Sequence, residues 1–328
     1  MSESETFVIV NYNAARAREA WARVGRALAD GGVRFDAHEA RQAGDAQASA
    51  REALGAGYRT IAVVGGDGTL GEVVSGFFEQ DDKRNSADST PAPVNAEAAL
   101  AVLPAGTGND FARGLEGARA SLDVWVARLI AHTRRRKSET TTRAVDVLRG
   151  TVGEGARPFF CLNAATLGIG AEVAGRVAAQ GVTVRRLPGE ARFALAAAFA
   201  LARWRARRLS VRVDDGEAFE CATNLVAVAN SPFAGGGMMF SPEARVDDGL
   251  LDVVTACRLT RASLVREMTR IHSGGHVNNP RVEIRRGSRV RIEHLTPTDA
   301  LAIEADGDVR GLTPLEFRVV PGALKVVV

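Results

Sequence analysis

The apolar positions of this chain fall into two rhythms, and the change between them lies near residue 145. Before it, short apolar runs at 7–11, 34–37, 61–64 and 98–103 alternate with amphipathic segments at 14–30, 46–54 and 70–78. A run such as Ile61-Ala62-Val63-Val64 has no polar face. Strands buried on both sides and interleaved with helices predict a parallel sheet covered by helices. The polar stretch 79–97, rich in Asp, Ser, Asn and Pro, predicts a surface loop. After residue 145, strand-like runs follow one another at 144–148, 159–164, 209–213, 221–229, 251–255, 282–286, 290–294 and 301–305, with turns such as Asp214-Asp215-Gly216 between them. That pattern predicts an antiparallel sandwich, interrupted by one helical segment at 190–208. The expected architecture is α/β plus all-β: a parallel-sheet α/β domain over 1–144 and an antiparallel β-sandwich domain over 145–311. The last apolar run, 324–328, predicts that a C-terminal segment from about 312 returns to the first domain. A chain of 328 residues is long enough to bury two cores.

The run 61–64 leads straight into Gly65-Gly66-Asp67-Gly68-Thr69, and a helix is expected to begin near Leu70 and Gly71. Glycine tolerates φ > 0 and lets backbone N–H groups approach a ligand with no Cβ in the way, and a helix start aims its positive end at an anion. A phosphate, and hence a nucleotide, is the expected guest. The turn lacks the lysine of a Walker A loop and the spacing of a dinucleotide fingerprint. A second apolar run, 98–103, leads into Pro104-Ala105-Gly106-Thr107-Gly108-Asn109-Asp110-Phe111. Two phosphate-facing turns are therefore expected side by side at the C-terminal edge of the sheet, with Asn109 or Asp110 also able to cap the next helix.

Composition changes this picture little. Hydrophobic residues make up 46% of the chain and charged residues 25%, which places it among ordinary globular proteins. The formal net charge is only +3, yet arginine outnumbers lysine and clusters at 134–137, 185–186 and 203–208. Such clusters suit an anionic membrane surface, and solvated faces or linkers also account for them. Nucleic acid is not an expected partner, and a homodimer is an open expectation. Cys161, Cys221 and Cys257 are far apart and have no C-x-x-C spacing. This argues against a zinc site or a disulfide framework and fits a reducing cytoplasm. The N-terminus shows neither the basic nor the apolar region of a signal peptide, and the longest apolar helix, 193–204, is too short to span a bilayer.

Asn11, the string GGDGTLGEVVSG at 65–76 and the string LPAGTGNDFAR at 103–113 resemble the diacylglycerol kinase catalytic-domain family, in particular its soluble bacterial lipid kinases. The match continues in order through 163–168, 228–230, the glycines 235–237 with Met238, Ser241-Pro242, 247–252 and Asp306-Gly307-Asp308. The resemblance implies a two-domain enzyme in which ATP and a lipid acceptor meet in a cleft between an α/β nucleotide domain and a β-sandwich, at a membrane surface. It implies that Gly65, Gly66, Asp67, Gly68, Thr69, Leu70 and Gly71, with Thr107, Asn109 and Asp110, surround the ATP phosphates. Mg²⁺ would bridge those phosphates, with Asp67 nearby. It implies Asp306 as the base for the lipid hydroxyl, by its match to the family's Asp-Gly-Glu motif, although Asp308 stands where the family usually has Glu. Taken alone, Asp306-Gly307 reads as a hairpin turn. The resemblance also implies a second Mg²⁺ site, with the Asp248 carboxylate and the carbonyls of Arg245 and Leu250. Ala40 stands where some relatives carry a threonine that touches the nucleotide.

Other readings are weaker. An NAD kinase-like enzyme or another small-molecule kinase, such as a sugar-phosphate kinase, shares the GGDGT turn, but the second motif is GTGNDFAR and the Asn-Glu dipeptide expected after the NAD kinase turn is missing. A nucleotide-binding regulator without catalysis would lack a base at Asp306. Gly168-Ile169-Gly170 followed by Ala174 and Glu190 lacks the βαβ context of a dinucleotide site. His272 and His276 have i, i+4 spacing, but Gly274-Gly275 between them disfavours a helix and hence a metal pair. No Gly-x-Ser-x-Gly elbow supports hydrolase chemistry. The acceptor is open among diacylglycerol, sphingoid bases, ceramide-like lipids and phosphatidylglycerol.

Overall fold

The computed structural model describes residues 5–79, 90–135, 141–153, 157–181, 184 and 189–328, which fall into two compact units. The first comprises Met1–Val147, Val246–Gly249 and Val320–Val328; the second comprises Leu148–Arg245 and Leu250–Val319.

In the first unit the elements are β1 (Thr6–Asn11), α1 (Ala15–Asp30), β2 (Phe35–Ala40), α2 (Asp45–Gly55), β3 (Thr60–Gly65), α3 (Asp67–Gly76), β4 (Ala99–Pro104), α4 (Asp110–Glu116) and α5 (Leu122–Arg134). The strands run parallel in the order β2-β1-β3-β4, with Val8 opposite Ala62 and Ala62 opposite Ala101. All six residues of β3 are buried, as its unbroken apolar run requires of a strand covered on both faces. Covering helices present small or apolar residues at helical spacing: Ala17, Val24 and Leu28 on α1, and Trp125, Val126 and Leu129 on α5. The end of the last strand joins this sheet beside β4, with Lys325 opposite Ala99 and Val326 opposite Leu100, in parallel. Because every strand here is parallel, their C-terminal residues Asn11, Ala40, Gly65 and Pro104 share one edge.

The second unit is an antiparallel β-sandwich with helices on one outer face. The remaining strands are β5 (Thr142–Val152), β6 (Phe159–Cys161), β7 (Ala164–Gly168), β8 (Arg207–Val213), β9 (Phe219–Ala229), β10 (Phe233–Ala234), β11 (Met238–Met239), β12 (Leu251–Cys257), β13 (Val282–Gly287), β14 (Arg289–His294), β15 (Ala302–Ala305), β16 (Asp308–Leu312) and β17 (Leu315–Val327), of which β5 begins and β17 ends in the first unit. Strand β9 is central, pairing with β7, β8 and β12. Its residues alternate between two cores. Val226 and Val228 enter one with Leu167, Val211, Ile292, Ile303 and Phe317. Ala227 and Ala229 enter the other, beneath the helices Ile169–Ala178, Gly189–Arg203 and Arg261–Arg270, with Ile169, Ala196, Ala200 and Leu264. Small alanines on that face let the helices lie close to the sheet.

Four expectations need correction. Helix α3 begins at Asp67, not near Leu70, because the first turn of a helix needs no intrahelical N–H partners and so tolerates the glycines there. The helical segment of the second unit ends at Arg203, and Arg207 already pairs in β8. Cys221 and Cys257 form a disulfide: they lie 36 residues apart in sequence, but β9 and β12 are antiparallel neighbours that bring their Cα atoms to 5.8 Å. The helices Ile169–Ala178 and Arg261–Arg270 break the strand-rich pattern, the second being capped at Thr260, whose side chain accepts from Ser263 N–H. The expected loop at 79–97 lies partly outside the described residues, as do Arg136, Lys137, Arg185 and Arg186 of the arginine clusters.

Candidate functional site

At the C-terminal edge of the parallel sheet, the turns after β3 and β4 pack backbone against backbone. A Cβ on Gly66 would lie 3.1 Å from the Cα of Gly106, and one on Gly106 only 2.5 Å from the Cα of Gly66. Close approach is therefore what demands glycine here, since Gly66 has φ −101° and ψ −173°, ordinary extended backbone. Left-handed backbone occurs instead at Asn109, with φ 54°, a residue type that tolerates it. Asn109 folds back on its own turn: its Oδ1 accepts from Gly106 N–H at 2.8 Å, and its Nδ2 donates to Gly106 O at 3.3 Å.

The two turns are cross-tied. Ala105 N–H donates to Gly65 O at 2.8 Å. The carboxylate of Asp67 accepts from Asp110 N–H and from Phe111 N–H, each at 3.0 Å, so it caps the first turn of α4 from the neighbouring loop. Thr69 Oγ1 accepts from Asn11 Nδ2 at 2.8 Å, and Asn11 Oδ1 accepts from Asn13 and Ala14 N–H, which fixes the chain as it leaves β1. Leu70 is buried and its N–H bonds back to Gly66 O, whereas Thr107 is exposed at the tip of the second turn. Asp110 is buried at the start of α4. Gly71 lies one turn into α3, where its carbonyl accepts from Ser75 Oγ. Glu72 Oε2 accepts from Gly44 N–H at 3.2 Å and links α3 to the turn after Ala40. Two helix starts, α3 and α4, thus sit at one edge; the first-turn N–H groups of α3 have no intrahelical acceptor, while two of those of α4 are taken by Asp67. The hollow beside them is lined by Val63, Gly65, Gly66, Asp67, Leu70, Val102, Pro104, Asn109 and Ala112. That lining is mostly apolar, so what suits a phosphate here is the run of backbone N–H groups at the start of α3.

In the second unit Asp306 and Gly307 form the two-residue turn of the β15–β16 hairpin, with φ 49° and 97° as such a turn requires. The turn reading and the site reading are both satisfied. The Asp306 carboxylate does not face solvent like that of an ordinary turn residue but accepts from Leu162 N–H at 2.6 Å and from Asn163 N–H at 3.0 Å. Residues 162 and 163 are held in turn by Asn230, whose Nδ2 donates to Leu162 O and whose N–H donates to Asn163 O. Three sequence motifs, 163–168, 228–230 and 306–308, therefore meet around one carboxylate. Asp308 is exposed and pairs with Arg310 at 3.1 Å.

The comparisons with known proteins agree with these motifs. Residues 5–142 match the family model described as diacylglycerol kinase catalytic domain, and residues 165–328 match the one described as YegS C-terminal NAD kinase beta sandwich-like domain. The chain is 31% identical over 284 residues to a Pseudomonas aeruginosa protein named "Probable lipid kinase YegS-like", covering 86% of this chain and 81% of that protein. The chain belongs to the diacylglycerol kinase catalytic-domain family of lipid kinases. It is also 25% identical over 310 residues to a Bacillus subtilis diacylglycerol kinase, covering 93% of this chain and 91% of that one. A crystal structure of a diacylglycerol kinase from Bacillus anthracis str. Sterne shares the fold with a TM-score of 0.65 at 18% identity, covering the whole of this chain and 98% of that one.

Within this family frame the segment 245–250 can be placed. Arg143 holds Asp247 through Nε at 2.9 Å and Nη2 at 2.7 Å, and the Asp146 carboxylate accepts from Gly249 N–H and Gly322 N–H, each at 2.7 Å. Asp248 is half-buried in that turn, between exposed Arg245 and half-buried Leu250. One carboxylate and backbone carbonyls are hard oxygen donors, which fits Mg²⁺, an ion that takes few protein ligands. Among the described residues no three His, Cys, Asp or Glu side chains converge on a common point. His272 and His276 lie in separate 3₁₀ turns split by Gly274; His276 is buried with its Nε2 bonded to Phe240 O at 3.0 Å, and His272 is exposed. Sequence reasoning counted Asn11 among the residues of the family resemblance without giving it a role, and it passed over Glu304, which only its place two residues before the Asp-Gly turn could have marked.

Proposed function

We propose that this protein is an ATP-dependent lipid kinase that transfers the γ-phosphoryl group of ATP to a hydroxyl of diacylglycerol or a related lipid. The observation that carries the reading is the Gly66–Gly106 contact with its Asp67 cross-tie, which brings two helix starts together at the C-terminal edge of a parallel sheet. Backbone N–H groups of Gly66 to Thr69, with the Thr107 hydroxyl, bind and orient the ATP phosphates. Asp306 takes the proton from the lipid hydroxyl. That oxygen forms the new bond to the γ-phosphorus as the bond from the γ-phosphorus to the bridging oxygen breaks, and ADP leaves with the electron pair. Two backbone donors fix the Asp306 carboxylate in place while each oxygen keeps a further lone pair for the proton. Asp248, with the carbonyls of Arg245 and Leu250, would hold Mg²⁺, and Asp67 stands near the phosphates; the ion would neutralise developing charge.

Radiolabelled ATP incubated with a total lipid extract, and separately with NAD, tests the reading. A phosphorylated lipid identified by mass spectrometry is expected. Label in NAD alone, or in neither, would overturn it.

An enzyme with such an acceptor must meet a bilayer, and no helix among the described residues is long and apolar enough to cross one. Leu195 and Phe199, one turn apart on the helix Gly189–Arg203, are 39% and 57% exposed, with exposed Arg203 and Arg205 beyond them. Other arginines are engaged within the protein: Arg134 with Gly31 O, Arg135 with His132, Arg207 with Thr298 O and Arg208 with Glu220. Docking through this helix would combine apolar insertion with about 1 kcal/mol per basic residue at an anionic surface, screened by salt. Sedimentation with vesicles is expected to show weak binding that needs anionic lipid, falls at high salt and falls further in Phe199→Glu. Equal binding to neutral and anionic vesicles, or none to either, removes the docking proposal and leaves the kinase reading standing.

A further inference from the structure

The disulfide between Cys221 and Cys257 has no part in the phosphoryl transfer. Cys221 stands near the start of β9, whereas Asn230, which holds the residues around Asp306, follows the other end of that strand. Both cysteines line a hollow of about 480 Å³, together with Phe219, Arg258, Arg281 and Arg285. Cys221 is buried and Cys257 half-buried, so Cys257 is the one of the pair that reaches solvent. The hollow is cationic. Two glutamates also line it, but each has its own arginine: Glu283 pairs with Arg285 at 3.4 Å and Glu220 with Arg208 at 2.9 Å. The charges of exposed Arg258 and Arg281 are left unmatched by a carboxylate among the described residues. Arg285 is also held over the Phe219 ring, 3.7 Å from its centroid, so the wall offers cations beside an aromatic face. Opening the disulfide does not require the sheet to open. Strands β9 and β12 stay paired from Ala229 opposite Asp252 to Leu225 opposite Ala256, and the register shifts just before Cys257, which aligns with Thr223 at the end of the regular ladder.

We propose that this hollow docks a small thiol carrying carboxylates, and that Cys221–Cys257 is the disulfide such a thiol opens. The thiolate of the incoming molecule attacks Cys257 Sγ and forms the new sulfur–sulfur bond. The bond to Cys221 breaks, its electron pair leaves on Cys221 Sγ, and that sulfur takes a proton from water. One thiol and one disulfide enter and one of each leaves, a mixed disulfide at Cys257 and a thiol at Cys221, so no further oxidant or reductant is needed. The arginines favour the step twice. They gather the anionic thiol at the hollow, and they stabilise the negative charge that the attacking and departing sulfurs share. This covalent mark on the second unit stands apart from the kinase reading.

The full chain, purified without reductant and then denatured, is expected to show one free thiol, that of Cys161; three would remove the disulfide and the proposal with it. The native chain is next treated with glutathione, a net anion, and with glutathione diethyl ester, a net cation bearing the same thiol. Each rate of opening is divided by that thiol's rate with 2-hydroxyethyl disulfide, which cancels intrinsic reactivity. The corrected ratio is expected to favour glutathione by about tenfold and to fall toward one at high salt. Acid-quenched peptide mapping should place the adduct on Cys257. Arg258→Asn combined with Arg281→Gln removes both unmatched charges. Asparagine tolerates the left-handed backbone of residue 258, φ 54°, and glutamine keeps a donor for the 258 carbonyl that Arg281 Nη1 holds at 2.6 Å. In this variant the ratio should drop to near one while the ester reacts no more slowly than before. The salt series on the native chain tests the same charge effect without any substitution. A ratio near one in the native chain, a ratio undiminished by salt or in the variant, an adduct on Cys221 or Cys161, or no opening by either thiol overturns the proposal.

Discussion

Asp306→Asn is expected to lower turnover by about two to four orders of magnitude, the range for losing a general base, with ATP affinity near native. The geometry sharpens the expectation. Asp306 uses both oxygens to accept backbone N–H groups, from Leu162 and Asn163. An asparagine must turn its NH₂ toward one of those donors, so it loses a hydrogen bond as well as the basic lone pair. Thermal melting should therefore fall somewhat, and the assay belongs well below the variant's melting range. Binding of ATP to the α/β unit provides the control, because every residue expected around the phosphates lies in that unit, whereas Asp306 lies in the other. Asp308→Asn offers a second comparison, since Asp308 is exposed and contacts only Arg310 among the hydrogen-bonded side chains described. It should change turnover little. Should Asp306→Asn turn over within about threefold of the native rate, Asp306 is a turn residue and the proton goes elsewhere.

Much of this site was legible because its residues are local signals. A buried run ending in GGDGT, a second ending in GTGND and an Asp-Gly turn between strands each declare a backbone conformation within a few residues. What was not legible depended on contacts between distant segments. Asp67 reads as a free acidic residue beside a phosphate turn, but it spends both oxygens on the start of α4, 43 and 44 residues away. Asn11 has no periodicity to mark it, yet it fixes Thr69 from the end of the neighbouring strand. In the sequence, glycine at 66 reads as a matter of φ and of room for a ligand; the structure makes it one of room for the opposite glycine at 106. The same holds for the fold. Cys221 and Cys257 could pair only because β9 and β12 are neighbours, and no spacing rule anticipates that. The helix Ile169–Ala178 was masked by its two glycines, whose low helix propensity is overridden by burial of Ile169 and Val173 against the sheet.

Gly66→Val should abolish measurable ATP binding or weaken it by at least about tenfold, because a side chain there acts on both phosphate turns at once. The first carbon alone would lie 3.1 Å from Gly106 Cα, and the two methyl groups of valine need more room still. The turns must move apart, which strains the Ala105 to Gly65 bond and the Asp67 cap on α4 together. Each backbone donor that no longer reaches a phosphate costs about 1–3 kcal/mol, so losing even one accounts for the tenfold. A variant that merely unfolds would be uninformative, and Gly68→Ala removes that escape. A Cβ at Gly68 meets nothing within 4 Å, and alanine favours the first turn of α3 over glycine by up to about 1 kcal/mol, so this variant should fold at least as well as the native chain. Its methyl group instead occupies the space where a phosphate would approach the helix start. Isothermal titration with Mg-ATP is therefore expected to show weaker binding for both variants, with stability lowered in Gly66→Val and held or raised in Gly68→Ala. Native affinity in Gly66→Val and Gly68→Ala, both folded, would place the nucleotide away from this turn and take the phosphate-binding role with it.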